Sequence, residues 1–312
     1  GTLASAAGAV GTAWATSMWS VLPYRLLVGV GSAASYAGSS AYMADLTAAT
    51  PKHRGKLLGI QQTVLGATFV AGPAIGGWLA ELYGARYAFY IVGALTGLCT
   101  LGYSLLPETL KKVKTGVEPA GEMTLRGLLA DSRQQAVVAM YAAMFLGYSC
   151  ELSVVPVFAS SVWGATPMQL GMMFSVVSLT GLFATAVGGW AADRFGRRHV
   201  VILPALLAIA APVLLTFAET QYQFYAIMTV WGIGLSIVSP ALTALAADIA
   251  PPEHRSKALA LGRQAGDIAF TIGPIGLGLL AEMMDCRWSL CLTSALSLAA
   301  VAIFASKTSS LK

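Results

Sequence analysis

The stretch Gly189-Trp-Ala-Ala-Asp193-Arg194-Phe-Gly196-Arg197-Arg198 places four charges within ten residues, between two long apolar runs. About twenty residues on each side carry almost no charge, enough as helix to cross the roughly 30 Å hydrocarbon core of a bilayer. The cluster is therefore expected to be a tight loop at a membrane surface. Its aspartate stands near the helix end, a glycine is available for the turn, and forked guanidiniums can latch neighbouring helices in one of two arrangements.

Composition agrees. The chain has 312 residues, 56% hydrophobic and 11% charged, against about 25% charged in soluble domains. This is a polytopic, all-α membrane protein, whose membrane the sequence leaves open between plasma membrane and organelle. The net charge of +5 does not point to nucleic acid, because the basic residues lie in short loops rather than on one face. Four cysteines, Cys99, Cys150, Cys286 and Cys291, lack metal-ligand spacing and are read as small packing residues. His53, His199 and His254 sit in loops beside basic residues, and no nucleotide-binding glycine loop occurs. Neither enzyme chemistry, a cofactor nor a metal is expected.

Apolar runs bounded by charged or turn residues give ten spans, near 2–19, 20–44, 58–80, 86–106, 135–158, 168–191, 199–218, 222–247, 257–281 and 286–305. Of the nineteen Lys and Arg, fifteen fall in alternate loops, around Lys52 to Lys56, Lys111 to Arg133, Arg194 to Arg198, Arg255 with Lys257, and Lys307 with Lys312. The opposite loops hold only Arg86 and Arg287, while Arg25 and Arg263 lie inside spans. The basic side is the cytoplasmic one by the positive-inside rule. Residues 107–134 read as a cytoplasmic linker between bundles 1–106 and 135–312, with a short surface helix over Leu125 to Leu129.

An internal repeat supports two bundles. Shifted by 201, Pro51-Lys-His53-Arg54-Gly-Lys56 matches Pro252-Glu-His254-Arg255-Ser-Lys257, and Gly72-Pro73 matches Gly273-Pro274. Gly1 falls opposite Pro204 in this register, so the spans near 135–158 and 168–191 have no counterpart in the first half. Two helices and a first copy of the loop, on the order of 70 residues, are expected to precede Gly1 in a twelve-helix protein.

The spacing Gly-x-x-x-Asp-Arg-x-Gly-Arg-Arg resembles the loop signature of the major facilitator superfamily of secondary transporters, found between the second and third helices of each half. The resemblance makes Gly189, Asp193, Arg194, Gly196, Arg197 and Arg198 a cytoplasmic latch; the competing reading is that the arginines only set topology. The first bundle then corresponds to helices three to six of the family fold, and the second to a full set of six.

Gly66-Ala-Thr-Phe-Val-Ala-Gly72-Pro73-Ala-Ile-Gly76-Gly77 resembles the fifth-helix motif of the superfamily's antiporters. Its glycines allow close helix approach and its proline permits a bend. Generic small-residue packing is the alternative, since Gly273-Pro274 repeats part of it. Tyr24-Arg25-Leu-Leu-Val-Gly29 resembles the fourth-helix motif, in which Arg25 tunes proton coupling; lying about two turns from the outer boundary, it can instead snorkel to the interface.

Two acids lie within spans. Arg263 and Asp267 replace Gln62 and Gly66 of the repeat, about 9 and 15 Å deep counted from Lys257. At i, i+4 they share a face and can form a structural ion pair, or Asp267 can take a proton or a cationic substrate in a central cavity. Glu151, roughly 24 Å from Gln135, is either an outer-cavity proton site or an interface residue. Gln61, Gln62 and Tyr148 are candidate cavity-lining groups, and Asp45 and Asp248 close their spans beside loop arginines.

The resemblance implies a monomeric drug-efflux-like transporter, exporting a small organic molecule in exchange for protons by alternating access, with the proton gradient as driving force. Its partners are the bilayer, the substrate and protons. Two alternatives stay open: a facilitator or proton symporter importing a metabolite, and a receptor or assembly partner that retains the scaffold without transport.

Overall fold

A computed structural model describes residues 1–49, 53–107, 125–251 and 254–309. Lys52, Lys111, Lys112, Lys114 and Lys312 of the basic loops, and most of the expected linker, fall outside them. Among the described residues the chain forms helices and no strand, in the order α1 (Thr2–Trp14), α2 (Met18–Ala49), α3 (Arg54–Tyr83), α4 (Ala85–Ser104), α5 (Leu125–Ala130), α6 (Ser132–Trp163), α7 (Pro167–Phe195), α8 (Arg197–Leu215), α9 (Gln221–Ile249), α10 (Arg255–Met283) and α11 (Cys286–Lys307).

Among the described residues ten helices match the ten expected spans, and α5 is the short helix expected within residues 107–134. Eight of them are long and apolar enough to cross a membrane. The other two are α1, which has only 13 residues, and α2, in which Ser32, Ser35, Ser39 and Ser40 dilute the apolar character. Helix α1 ends at Trp14, short of the expected 19, because Ala15 turns to ψ 133 and a hydroxyl-bonded turn between Ser17 and Ser20 follows.

The chain divides into two units, residues 1–117 with 166–172, and residues 118–165 with 173–312. In the first, α1 lies against α2 and α4 with almost no side chain between. A Cβ added to Gly8 would stand 2.7 Å from the Tyr24 carbonyl oxygen, and one on Gly31 would stand 2.5 Å from the Ser5 nitrogen. On the other side, Gly93 of α4 makes room for the Val10 side chain of α1, whose Cγ2 would stand 2.6 Å from an added Cβ. Lipid tails are as apolar as the helices, so association rests on such close van der Waals approach and on interhelical hydrogen bonds such as Thr100 to Thr2, 2.9 Å.

In the second unit α6 is the central element. Asp131 caps its start by accepting from the Arg133 backbone N–H at 2.8 Å. Gly164 ends it in the left-handed conformation, φ 62 and ψ 32. Along one face of α10, Gly262, Gly266 and Gly273 lie on Tyr141, Phe145 and Ser149 of α6. These positions recur about every four or seven residues, one stripe of a helix. Pairing Gly188 of α7 with Ile237 brings α9 equally close, and Gly234 meets Pro204 and Ala208 of α8. Trp231, Phe158, Phe224 and Phe304 fill the interior. The hydroxyl of Ser294 donates to the Ile209 carbonyl, 2.7 Å, and that of Ser289 to the Leu277 carbonyl, 2.6 Å, fixing α11 to α8 and α10.

Candidate functional site

The loop between α7 and α8 turns at Gly196, whose φ of 88 lies where side-chain-bearing residues are strained. The turn sets Arg197 and Arg198 in the first turn of α8, where they diverge. Arg197 donates to the Asp248 carboxylate and to the Ala244 carbonyl, 3.0 Å, both on the last turns of α9. Arg198 instead reaches the end of α11, donating to the Ala305 carbonyl at 3.1 Å and the Thr308 hydroxyl at 3.3 Å. Those groups belong to the helix C-terminus, whose carbonyls have no intrahelical donor and favour a cation. Arg194 lies over the Trp190 and Phe195 rings at 5.5 and 5.9 Å.

Asp193 has no ion pair among the described residues. It lines, with Arg133, Arg197 and Asp248, a cleft of about 360 Å³ within the second unit. Beside it, Asp131 and Arg133 are paired at 2.9 Å, and the hydrogen-bonding guanidinium holds the Asp131 carboxyl below its usual range. The described residues of the expected latch thus form two attachments, one to α9 and one to α11.

Halfway along α10, Arg263 Nε donates to Asp267 Oδ1 at 3.2 Å. The same guanidinium sits over the Phe145 ring of α6, 5.2 Å from its centroid. Phe270 and Tyr148 stand edge-on to Phe145 at 6.4 and 6.1 Å. The side chains of the pair remain 68% and 57% exposed in this chain, so they are available on the surface of the second unit rather than sealed in its core. A carboxylate beside aromatic faces is a set of groups that can hold a flat organic cation. Phe145 and Phe270 were not singled out in the sequence, where nothing separates them from ordinary apolar residues; only their positions one turn from Gly266 and Asp267 across two helices reveal them.

The other candidates lie apart. Glu151 is 5% exposed within the second unit and has no hydrogen-bond or ion-pair partner among the described residues. Arg25 of α2 is exposed with its guanidinium 4.8 Å from the Phe89 ring centroid of α4. Gln61 lines a cavity of about 560 Å³ in the first unit with Ser35, Ser39, Tyr42 and Tyr103, whereas Gln62 is exposed. Of the antiporter-like motif, Gly66 and Pro73 are half-buried, and a Cβ on Gly72 or Gly76 would meet nothing within 4 Å. Gly77 differs, because within the first unit its Cβ would stand 2.3 Å from the Pro167 carbonyl oxygen and 3.2 Å from the Gly171 Cα.

The model of the Major Facilitator Superfamily matches residues 1–162 and 137–310. The chain is 25% identical over 295 residues to the multi-drug resistance efflux pump PmrA homolog of Lactococcus lactis, covering 91% of this chain and 70% of that protein. It is 25% identical over 264 residues to multidrug resistance protein 1 of Bacillus subtilis, covering 83% of this chain and 66% of that one. It thus spans about two thirds of the length of these relatives. A crystal structure of a bacterial homolog of the human lysosomal transporter Spinster, inward-facing and unoccupied, superimposes with a TM-score of 0.80 over 99% of this chain and 83% of its own. At 17% identity that is a likeness of fold alone.

Proposed function

Because the chain belongs to the Major Facilitator Superfamily and is an integral, multi-pass membrane protein, we propose that it is a secondary transporter that exports a small organic molecule in exchange for protons. The observation that carries this reading is the Asp267 carboxylate, about ten residues and hence about 15 Å along α10 from the basic cytoplasmic end, beside Arg263 and the Phe145 ring. An ionisable residue at that depth is expensive unless it is paired or faces a water-filled cavity, and such residues mark substrate or ion pathways. The named efflux pumps among its relatives support export of an organic molecule.

In this reading Asp267 alternates between proton and cargo, and Glu151 and Arg25 are further candidates for the proton path. Gln61 and Gln62 are candidate polar lining. Bundles 1–106 and 135–312, joined by the linker 107–134, give alternating access to the two sides of the membrane. The loop from Gly189 to Arg198 latches the cytoplasmic ends, the motif from Gly66 to Gly77 lets α3 pack closely and bend, and the carrier works as a monomer.

The test is transport by the full chain in proteoliposomes with an imposed pH gradient. Accumulation of a fluorescent organic substrate against the proton flow is expected. Movement of substrate together with protons would replace export by symport, and absence of movement under any gradient would leave only a non-transporting role.

A further inference from the structure

One side chain, Arg263, covers both the Asp267 carboxylate and the Phe145 ring. Its guanidinium satisfies Asp267 at 3.2 Å and lies against Phe145, 5.2 Å from the ring centroid. Those are the two contacts, a carboxylate and an aromatic face, that a flat organic cation needs to leave water. Phe270 and Tyr148, edge-on to Phe145, hold that ring in place. Behind it, the absence of a side chain at Gly266 is required, since a Cβ there would stand 2.7 Å from the ring.

The pair is not a sealed structural bridge. Both side chains are more than half exposed, and in the water-filled cavity where the proposed function puts them an i, i+4 pair is weak and readily exchanged. Arg263 makes no hydrogen bond to another helix among the described residues, so nothing besides Asp267 and the ring holds it. In the register of the internal repeat Gln62 and Gly66 stand at these two positions, so the pair belongs to one half of the molecule only.

We propose that Arg263 is a tethered stand-in for the cargo: it covers Asp267 and Phe145 while the site is empty, and an aromatic organic cation binds by displacing it. This rests on the reading of Asp267 as the cargo site. It has a definite consequence. Arg263 is a competitor of the substrate rather than part of its grip, so removing it strengthens cation binding, whereas it would weaken binding if the arginine recognised an anionic or zwitterionic cargo. It also sets selectivity, because a cation without an aromatic surface gains the carboxylate but not the ring.

The experiment measures binding of ethidium, a flat aromatic cation with amine N–H donors, to the full chain in lipid nanodiscs. Arg263→Gln is expected to tighten binding by about tenfold, the combined worth of an exposed ion pair and one cation–π contact. Arg263→Lys, which keeps the charge but loses the planar fork, should fall between the two. Asp267→Asn is expected to weaken binding by more than tenfold, and adding Arg263→Gln to it should restore only part, since the ring is uncovered and a repelling charge removed but the carboxylate is still missing. Unchanged or weaker binding in Arg263→Gln, with Asp267→Asn still defective, overturns the stand-in and leaves the Asp267 site intact. Undiminished binding in Asp267→Asn overturns both. Should Arg263→Gln fold poorly, Arg263→Lys decides alone, since any weakening there contradicts displacement.

Discussion

The Arg197 guanidinium joins the Asp248 carboxylate and the Ala244 carbonyl, one turn apart on α9, so one side chain ties the start of α8 to the end of α9. Arg198, its neighbour, ties the same turn to the end of α11. The two attachments differ in kind: the first depends on a titratable carboxylate, the second on backbone and hydroxyl acceptors that do not change charge.

The first attachment is modest in energy. With side chains 31% and 54% exposed, the Arg197–Asp248 coupling in a double-mutant cycle of Arg197→Ala and Asp248→Asn is expected at about 0.5 kcal/mol. Thermal unfolding of the four proteins in nanodiscs measures it. Arg197→Lys should not recover the wild-type value, because an ammonium lacks the fork that serves both acceptors; full recovery would argue for charge alone.

Helix packing makes a sharper contrast. At Gly188 an added Cβ would stand 2.8 Å from the Ile237 carbonyl oxygen and 2.9 Å from its Cα, backbone that cannot step aside. Gly188→Ala is expected to cost about 1–3 kcal/mol. At Gly276, where a Cβ would meet nothing within 4 Å, alanine should be neutral or stabilise by up to about 1 kcal/mol through helix propensity. Unfolding midpoints of the two variants on the same scale check the pair, and equal effects would contradict the close α7–α9 approach.

Asp131 supplies a pH dependence. Its carboxyl is held below the ordinary value of 3.8 chiefly by its hydrogen bond with Arg133. A depressed carboxyl contributes stability that is present above its unfolded value and lost as pH falls through the folded one. Asp131→Asn keeps a capping group but not the charge. It should therefore be less stable than wild type near neutrality, by about 0.5 kcal/mol after screening of a one-third-exposed group. The difference should close below pH 3.8. A gap that persists at lower pH would assign the effect to shape rather than charge.

Much of this arrangement was legible in the sequence because it is local. Gly196 was identifiable as the turn by its place among charges, and its φ of 88 follows from the reversal it must make. Long apolar runs between basic loops gave the helices, since a bilayer requires about twenty apolar residues per crossing. The i, i+4 spacing alone put Arg263 beside Asp267. Pairings across helices were not legible. That Arg197 goes to Asp248 while Arg198 goes to Thr308, 110 residues away, depends on the rotation of α8 between α9 and α11. Phe145 could not be singled out, as it joins the site only through the Gly266 contact that seats α10 on α6.

The most direct test of the central claim is the proton flux that cargo itself drives. Proteoliposomes holding the full chain and an internal pH dye receive ethidium on one side, with membrane potential clamped. The account predicts proton movement opposite to the cargo in wild type and none in Asp267→Asn. Proton flux undiminished in Asp267→Asn, or running in the same direction as the cargo, would contradict it.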